Sequence, residues 1–165
     1  MMKQLFRTSA AMAALAGLAT WSQTSQAQAP APATPQPILE KPLAWAATNP
    51  ALKWGPCPPG MPEGCAIAVL HGDPSRPNAD IFLRIPGGST IPPHSHSSAE
   101  RMILVSGELE VKYQKARQTT LRVADYAYGP AGLPHRATCR SEAACVLFIA
   151  FEGPIDLHPF EGSLD

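Results

Sequence analysis

Apolar and polar positions change places every few residues through most of this chain, and the changes define a series of short strands. Apolar or alternating runs occupy Cys65 to Leu70, Ala79 to Ile85, Ile91 to His96, Arg101 to Val105, Glu108 to Tyr113, Thr119 to Val123, Leu133 to Thr138 and Ala144 to Phe151. Turn-forming clusters separate them, among them HGDPSRPN, PGG, SG, KARQ and GPAG. In GELEVKY, Leu109, Val111 and Tyr113 alternate with Glu108, Glu110 and Lys112, the pattern of a strand with one wet face. CVLFIAF is apolar on both faces, which predicts a central strand or one covered by a partner subunit. Strands this short, with turns at this density, predict an antiparallel sandwich or barrel.

The N-terminal part follows another pattern. Lys3 and Arg7 precede an apolar run from Ser9 to Trp21, and Ser25-Gln26-Ala27 forms a small-residue cleavage signal, so residues 1–27 read as a secretory signal peptide cut after Ala27. The run falls short of the ~20 residues a membrane anchor needs. Residues 28–37, QAPAPATPQP, alternate proline and alanine and read as a semi-extended linker. Residues 38–64 read as an arm, in which Leu39, Leu43, Ala44 and Trp45 suit either one helical turn or a segment packed on a neighbour. The domain proper is expected over residues 65–165, and its location is expected to be periplasmic or secreted.

Composition agrees with one domain: 165 residues, 45% apolar and 16% charged, can build one core and hardly two. Nineteen prolines and twelve glycines favour turns over long helices. The formal charge of the whole chain is zero, and loss of Lys3 and Arg7 leaves eleven basic residues against thirteen acidic. At about −2 the mature chain has no basic stripe of the kind nucleic acid or anionic lipid requires. Neither nucleic acid nor, after signal cleavage, a membrane is expected as a partner.

Cys57, Cys65, Cys139 and Cys145 all follow the cleavage point. In an exported protein an even count suggests disulfides, and four thiols allow three connectivities. Local pairing is preferred: Cys57 with Cys65 closes a proline-rich loop, and Cys139 with Cys145 staples the turn RSEAA. Neither spacing is that of a C-x-x-C redox pair.

The chemistry concentrates between Gly88 and Gly107, where His94, His96 and Glu100 stand, with His135 downstream in PAGLPH. Side chains alternate faces along a strand, so His94 and His96 point the same way. Glu100 can approach from the start of the next strand. These residues predict a metal site built on β structure. The competing reading of Ser97-x-x-Glu100 is a helix capping box, but the short apolar run RMILVSG that follows fits a strand better.

Gly88, five residues, His94-x-His96, three residues, Glu100, six residues and Gly107 match the first motif of the cupin superfamily in full, and Pro130-x-Gly132-x-x-His135 matches the core of its second. The chain from about Cys65 to Phe151 therefore resembles a small single-domain bacterial cupin. Two positions depart from the family pattern: Ala124 replaces the usual leading glycine of the second motif, and Cys139 the usual asparagine. The resemblance implies an all-β fold, the double-stranded β-helix or jelly-roll barrel, with a metal held in its mouth by His94, His96, Glu100 and His135. It also implies pairing into a homodimer.

Three imidazoles and one carboxylate suit one divalent transition metal (Fe, Mn, Ni, Cu, Co or Zn) and disfavour Mg or Ca. His71 and His158 lie outside the set and are expected to be solvent-facing or hydrogen-bonded. Strand alternation points Arg101 and Arg136 away from the metal and leaves Arg84 open, while Met102 and Leu104 should line an apolar cavity with Glu100. The leading functional expectation is an exported, metal-dependent oxidoreductase of the dioxygenase kind acting on a small organic molecule, with Glu100 as its base. The alternative is a non-catalytic cupin that binds or senses a small molecule.

Overall fold

The structure, a computed structural model, describes residues 41–165. The expected signal peptide, the linker and the first residues of the arm lie outside the described residues. From Pro42 onward the chain forms one unit. The alternating runs become strands: β1 (Trp54–Pro56), β2 (Ala66–His71), β3 (Ala79–Ile85), β4 (Thr90–Ser95), β5 (Glu100–Ser106), β6 (Leu109–Tyr113), β7 (Thr119–Leu121), β8 (Tyr126–Gly129), β9 (His135–Cys139), β10 (Cys145–Phe151) and β11 (His158–Pro159). They build two antiparallel sheets, a large one in the order β1-β2-β3-β10-β5-β8 and a small one in the order β11-β4-β9-β6-β7. This is the all-β jelly roll. Among the described residues there is no helix long and apolar enough to cross a membrane.

The inner faces of the two sheets meet in one core. The large sheet supplies Ile81, Leu83, Ile85, Met102, Leu104, Leu147 and Ile149, and the small one Ile91, Leu109, Val111 and Leu121. Burying each such side chain contributes roughly 1.5–3 kcal/mol. The two-sided strand β10 is central: it pairs with β3 through Leu147↔Leu83 and with β5 through Ile149↔Met102. Its other face carries Val146, which packs with Ala68, Phe82 and Leu52 in a second cluster on the outside of the large sheet. Leu52 reaches this cluster from a tight turn in which Asn49 bonds back to Ala46 and Leu52 to Asn49. This part of the arm thus packs on its own sheet, and β1 extends that sheet as its edge strand beside β2.

Three strands, β1, β8 and β11, arise where the hydrophobic pattern predicts none. Elsewhere the ends shift by a few residues: β7 stops at Leu121 with Val123 exposed, and β9 starts at His135 rather than Leu133. Both preferred disulfides are present, Cys57–Cys65 and Cys139–Cys145, with no free cysteine among the described residues. Each contributes on the order of 2 kcal/mol in the chain-entropy model. The second accounts for one departure from the cupin pattern, since Cys139 is committed to Cys145. The other departure is conformational: Ala124 adopts φ 74°, a left-handed backbone that a glycine takes without cost. At the turn from β5 to β6 Gly107 is required twice over, by its φ of 88° and because a Cβ there would meet Cys145 Sγ at 2.8 Å.

Candidate metal centre

All four candidate ligands come together at one end of the sandwich. His94 lies on β4 directly opposite His135, the first residue of β9, in the small sheet. His96 follows β4 on the same face, its carbonyl fixed by the Gly132 amide at 2.8 Å. Glu100 opens β5 in the large sheet, between Gly129 on β8 and Phe151 on β10. The site therefore bridges the two sheets. All four residues are buried, with Glu100 only 3% exposed and His135 4%.

Backbone carbonyls orient the imidazoles. Nδ1 of His94 bonds Pro92 O at 2.8 Å, Nδ1 of His96 bonds Asp156 O at 2.5 Å, and Nδ1 of His135 bonds Leu133 O at 3.2 Å. A carbonyl only accepts, so each Nδ1 carries a proton and Nε2 is the nitrogen turned toward the site, the arrangement that metal-ligating histidines show. Ring centroids lie 4.3 Å apart for His94 and His135, 4.9 Å for His94 and His96, and 5.4 Å for His96 and His135. One ligating nitrogen from each of the three lies within 4.8 Å of the others. The buried triad fits a metal site.

Glu100 strengthens that fit. Its Oε1 lies 3.1 Å from His135 Nε2 and its Oε2 3.6 Å from His96 Nε2. Oε1 nevertheless receives no well-directed hydrogen bond and is a buried orphan. Two acceptors facing one another at this distance need a proton or a cation between them. Neighbouring ligands about 2.1 Å from a shared ion stand about 3 Å apart, and the Glu100–His135 separation is close to that. Burial tends to raise the Glu100 pKa, but contact with His135 and the nearby His96 and His94 outweigh it and hold the carboxyl below its ordinary range. Burial likewise opposes charge on His135, and Glu100 overrides it, so that its pKa is raised. His94 is pushed down to about 4, first by burial and then by the neighbouring His135, which leaves it neutral and able to donate its lone pair.

The ligands face a cavity of about 60 Å³ whose walls are otherwise apolar, including Met61, Leu83, Met102, Leu147 and Phe151. Such a space holds on the order of four water-sized groups. Met102 lines it as alternation requires; Leu104, expected beside it, is fully buried in the core one step further along β5 and does not reach the cavity. Arg101 pairs with Glu152, Arg136 is exposed beside Gln118, and Arg84 stacks over the Trp54 ring at 4.3 Å, so none of the three lines the cavity. His71 is exposed, and the exposed His158 bonds Ser97 Oγ at 2.9 Å and pairs with Asp156 at 3.2 Å.

Two contributors carried no signal in the sequence. Asp156 holds His96 through its backbone carbonyl, which any residue could supply, and its side chain accepts from the Ser97 amide at 2.8 Å. Burial tends to raise its pKa, and the bonds from Ser97 and His158 bring it below the ordinary value. Gly129 faces Glu100 across the β5–β8 ladder, a contact that only the register reveals.

Residues 45–155, more than half of the chain, match the model of the family described as the ChrR cupin-like domain. The chain belongs to the ChrR cupin-like family. No curated protein matches it. Among solved structures, this cupin is similar to the DMSP lyase DddQ from Ruegeria pomeroyi DSS-3, with 21% identity, a TM-score of 0.57, and coverage of 68% of this chain and 64% of that one. The chain thus spans less than two thirds of the lyase's length. It is also similar to an RmlC-like cupin from Shewanella frigidimarina, at 17% identity, TM-score 0.52, and 64% and 86% coverage. An oxalate oxidase follows at 17% identity, TM-score 0.51, and 60% and 56% coverage. At these identities the likeness is one of fold.

Proposed function

We propose that this cupin is an exported, metal-dependent oxidoreductase of the dioxygenase kind, acting on a small organic molecule in the cavity between its sheets. The observation that carries the proposal is the convergence of buried donors, Glu100 Oε1 against His135 Nε2 at 3.1 Å, beside two further imidazoles whose Nδ1 protons are held by carbonyls. His94, His96, Glu100 and His135 would hold one divalent ion, Fe, Mn, Ni, Cu, Co or Zn. When bound, such an ion supplies Lewis-acid polarisation of an oxygen or sulfur donor and, for the redox-active metals, electron exchange with dioxygen. Among the described residues Glu100 is the side chain suited to take a proton from the bound molecule, acting as base once its carboxylate has left the metal. The apolar walls exclude water and select a ligand of modest polarity. Among the described residues no Lys or Arg lines the cavity, so phenols and thiols suit it better than dianionic substrates.

The second reading is a binding or sensing cupin without turnover. What favours it is that, among the described residues, no other acid or base lines the cavity apart from Asp156, whose carboxylate is already engaged by Ser97 and His158. Oxygen uptake by the metal-loaded protein, measured against phenols, thiols and keto acids, separates the two. Uptake that requires both metal and an organic substrate supports the enzyme; binding without uptake for every candidate metal supports the sensor.

Export, with cleavage after Ala27, is part of the same proposal and is supported by the two disulfides, which persist in oxidising compartments. So is a homodimer. Ile103 stands opposite Tyr126 on β8 and Phe148 on β10, and with the exposed Tyr128 they make one apolar patch outside the large sheet. An isologous dimer would cover it.

A further inference from the structure

We infer that Gly129 is a positioning residue for Glu100: the absence of a side chain at this point in β8 is what gives the carboxylate its place. The inference rests on the metal reading given above. Gly129 and Glu100 are direct cross-strand partners. A Cβ on Gly129 would lie 2.7 Å from Glu100 Oε1, 2.8 Å from its Cγ and 3.2 Å from its Cδ. Carbon atoms do not approach so closely, so the carboxylate would have to leave.

The backbone gives no other reason for glycine here. Gly88, Gly107 and Gly132 have positive φ, whereas Gly129 does not. Glycine in a strand interior weakens the strand and marks a point of close approach. Here the approaching group is the carboxylate among the four candidate ligands. Nor can that carboxylate retreat at will. On its other side β5 is paired with β10, where Phe151 stands opposite Glu100, and both residues are buried. The atom that Gly129 accommodates, Oε1, is the one that faces His135 Nε2 at 3.1 Å. A methyl group at position 129 would move the fourth donor away from the three imidazoles and leave those in place.

The test is a double-mutant cycle on the full-length mature protein, with Zn(II) affinity read by chelator competition and ligand environment by the Co(II) absorption spectrum. Gly129→Ala should lower Zn(II) affinity about 10–100-fold, the cost typical of losing a group that orients a metal ligand. In a Glu100→Ala background, where the space is vacated, the same change should alter affinity by less than about twofold. The Co(II) spectrum of Gly129→Ala should coincide with that of Glu100→Ala. Affinity unchanged by Gly129→Ala, or an equal loss in both backgrounds, overturns the inference. Should Gly129→Ala fail to fold, the double variant should fold, and its failure would overturn the inference equally. His135→Ala tests the underlying reading separately: if it binds Zn(II) as the parent does, the metal site is wrong. The cycle then still decides the contact through metal-free melting temperatures, lowered by Gly129→Ala beside Glu100 and not beside Ala; equal lowering in both backgrounds would refute it.

Discussion

Replacing Glu100 by Gln keeps the shape of the side chain and removes its charge, so it separates a metal ligand from a structural ion pair. In the metal-free protein the change should be tolerated by the fold. Glu100 and His135 are both buried and hold one another's charge, but once the carboxylate is gone burial returns His135 to its neutral form, and no uncompensated charge remains. The expected loss is that of one charge-assisted hydrogen bond, about 1.5–3 kcal/mol. In the presence of metal the effect should be large. Residues that merely orient ligands cost about 10–100-fold in affinity, so removal of the one anionic donor should cost at least that. At free metal 100-fold above the parent Kd, binding stabilises the parent by about 2.7 kcal/mol; a tenfold weaker variant retains about 1.4 and a hundredfold weaker one about 0.4. For a domain of this size about 4 °C accompanies each kcal/mol, so a metal-induced rise in Tm of about 11 °C should shrink to about 6 °C or 2 °C. Thermal unfolding in chelator and then at fixed free Zn(II) measures both quantities. A variant that shows the full metal-induced rise, or one that collapses already in chelator, would show that Glu100 serves the fold and not the metal.

Other expectations follow from single features. Ala124→Gly should raise Tm by a few degrees, because a left-handed alanine costs about 1–2 kcal/mol and glycine gives back about 0.4–1 through the unfolded chain; an unchanged or lower Tm would remove the strain argument. Mass spectrometry of the exported protein without reductant should give a chain beginning at Gln28 with no alkylatable thiol, and either an intact N-terminus or free thiols would count against export. Light scattering at micromolar concentrations should give the mass of a dimer, and Tyr126→Lys with Tyr128→Lys should shift it to the monomer. A parent that is monomeric throughout would dispose of the interface.

The strands that could be read from the sequence are those whose apolar residues face the core, such as Leu109 and Val111 on β6 or the run of β10. The strands that could not be read lack that pattern for physical reasons. In β8 the large residues, Tyr126 and Tyr128, are exposed, while Ala127 and Gly129 turn inward; a periodicity reading sees aromatic residues on the wet face and nothing on the other. β1 contains Gly55 and Pro56, both poor strand formers, and β11 spans only His158 and Pro159. The meeting of His94, His96, Glu100 and His135 was legible because spacing alone puts three of them on neighbouring faces and family spacing adds the fourth. Their support was not. The carbonyls of Pro92, Leu133 and Asp156 leave no mark in residue identity. Leu104 shows the limit of alternation, which gives the face of a strand but not how far along it a cavity extends.

Metal content of the purified protein and its histidine variants tests the central claim most directly. Elemental analysis should find about one transition-metal ion per parent chain, a sharp loss on His135→Ala, and no change on His71→Ala or His158→Ala, with circular dichroism confirming that all four proteins are folded. His135 is the decisive position because it reaches the site from β9, far in sequence from His94 and His96, and so reports on the fold and the ligand set together. Full metal content in His135→Ala, or its loss in His71→Ala, would contradict the account.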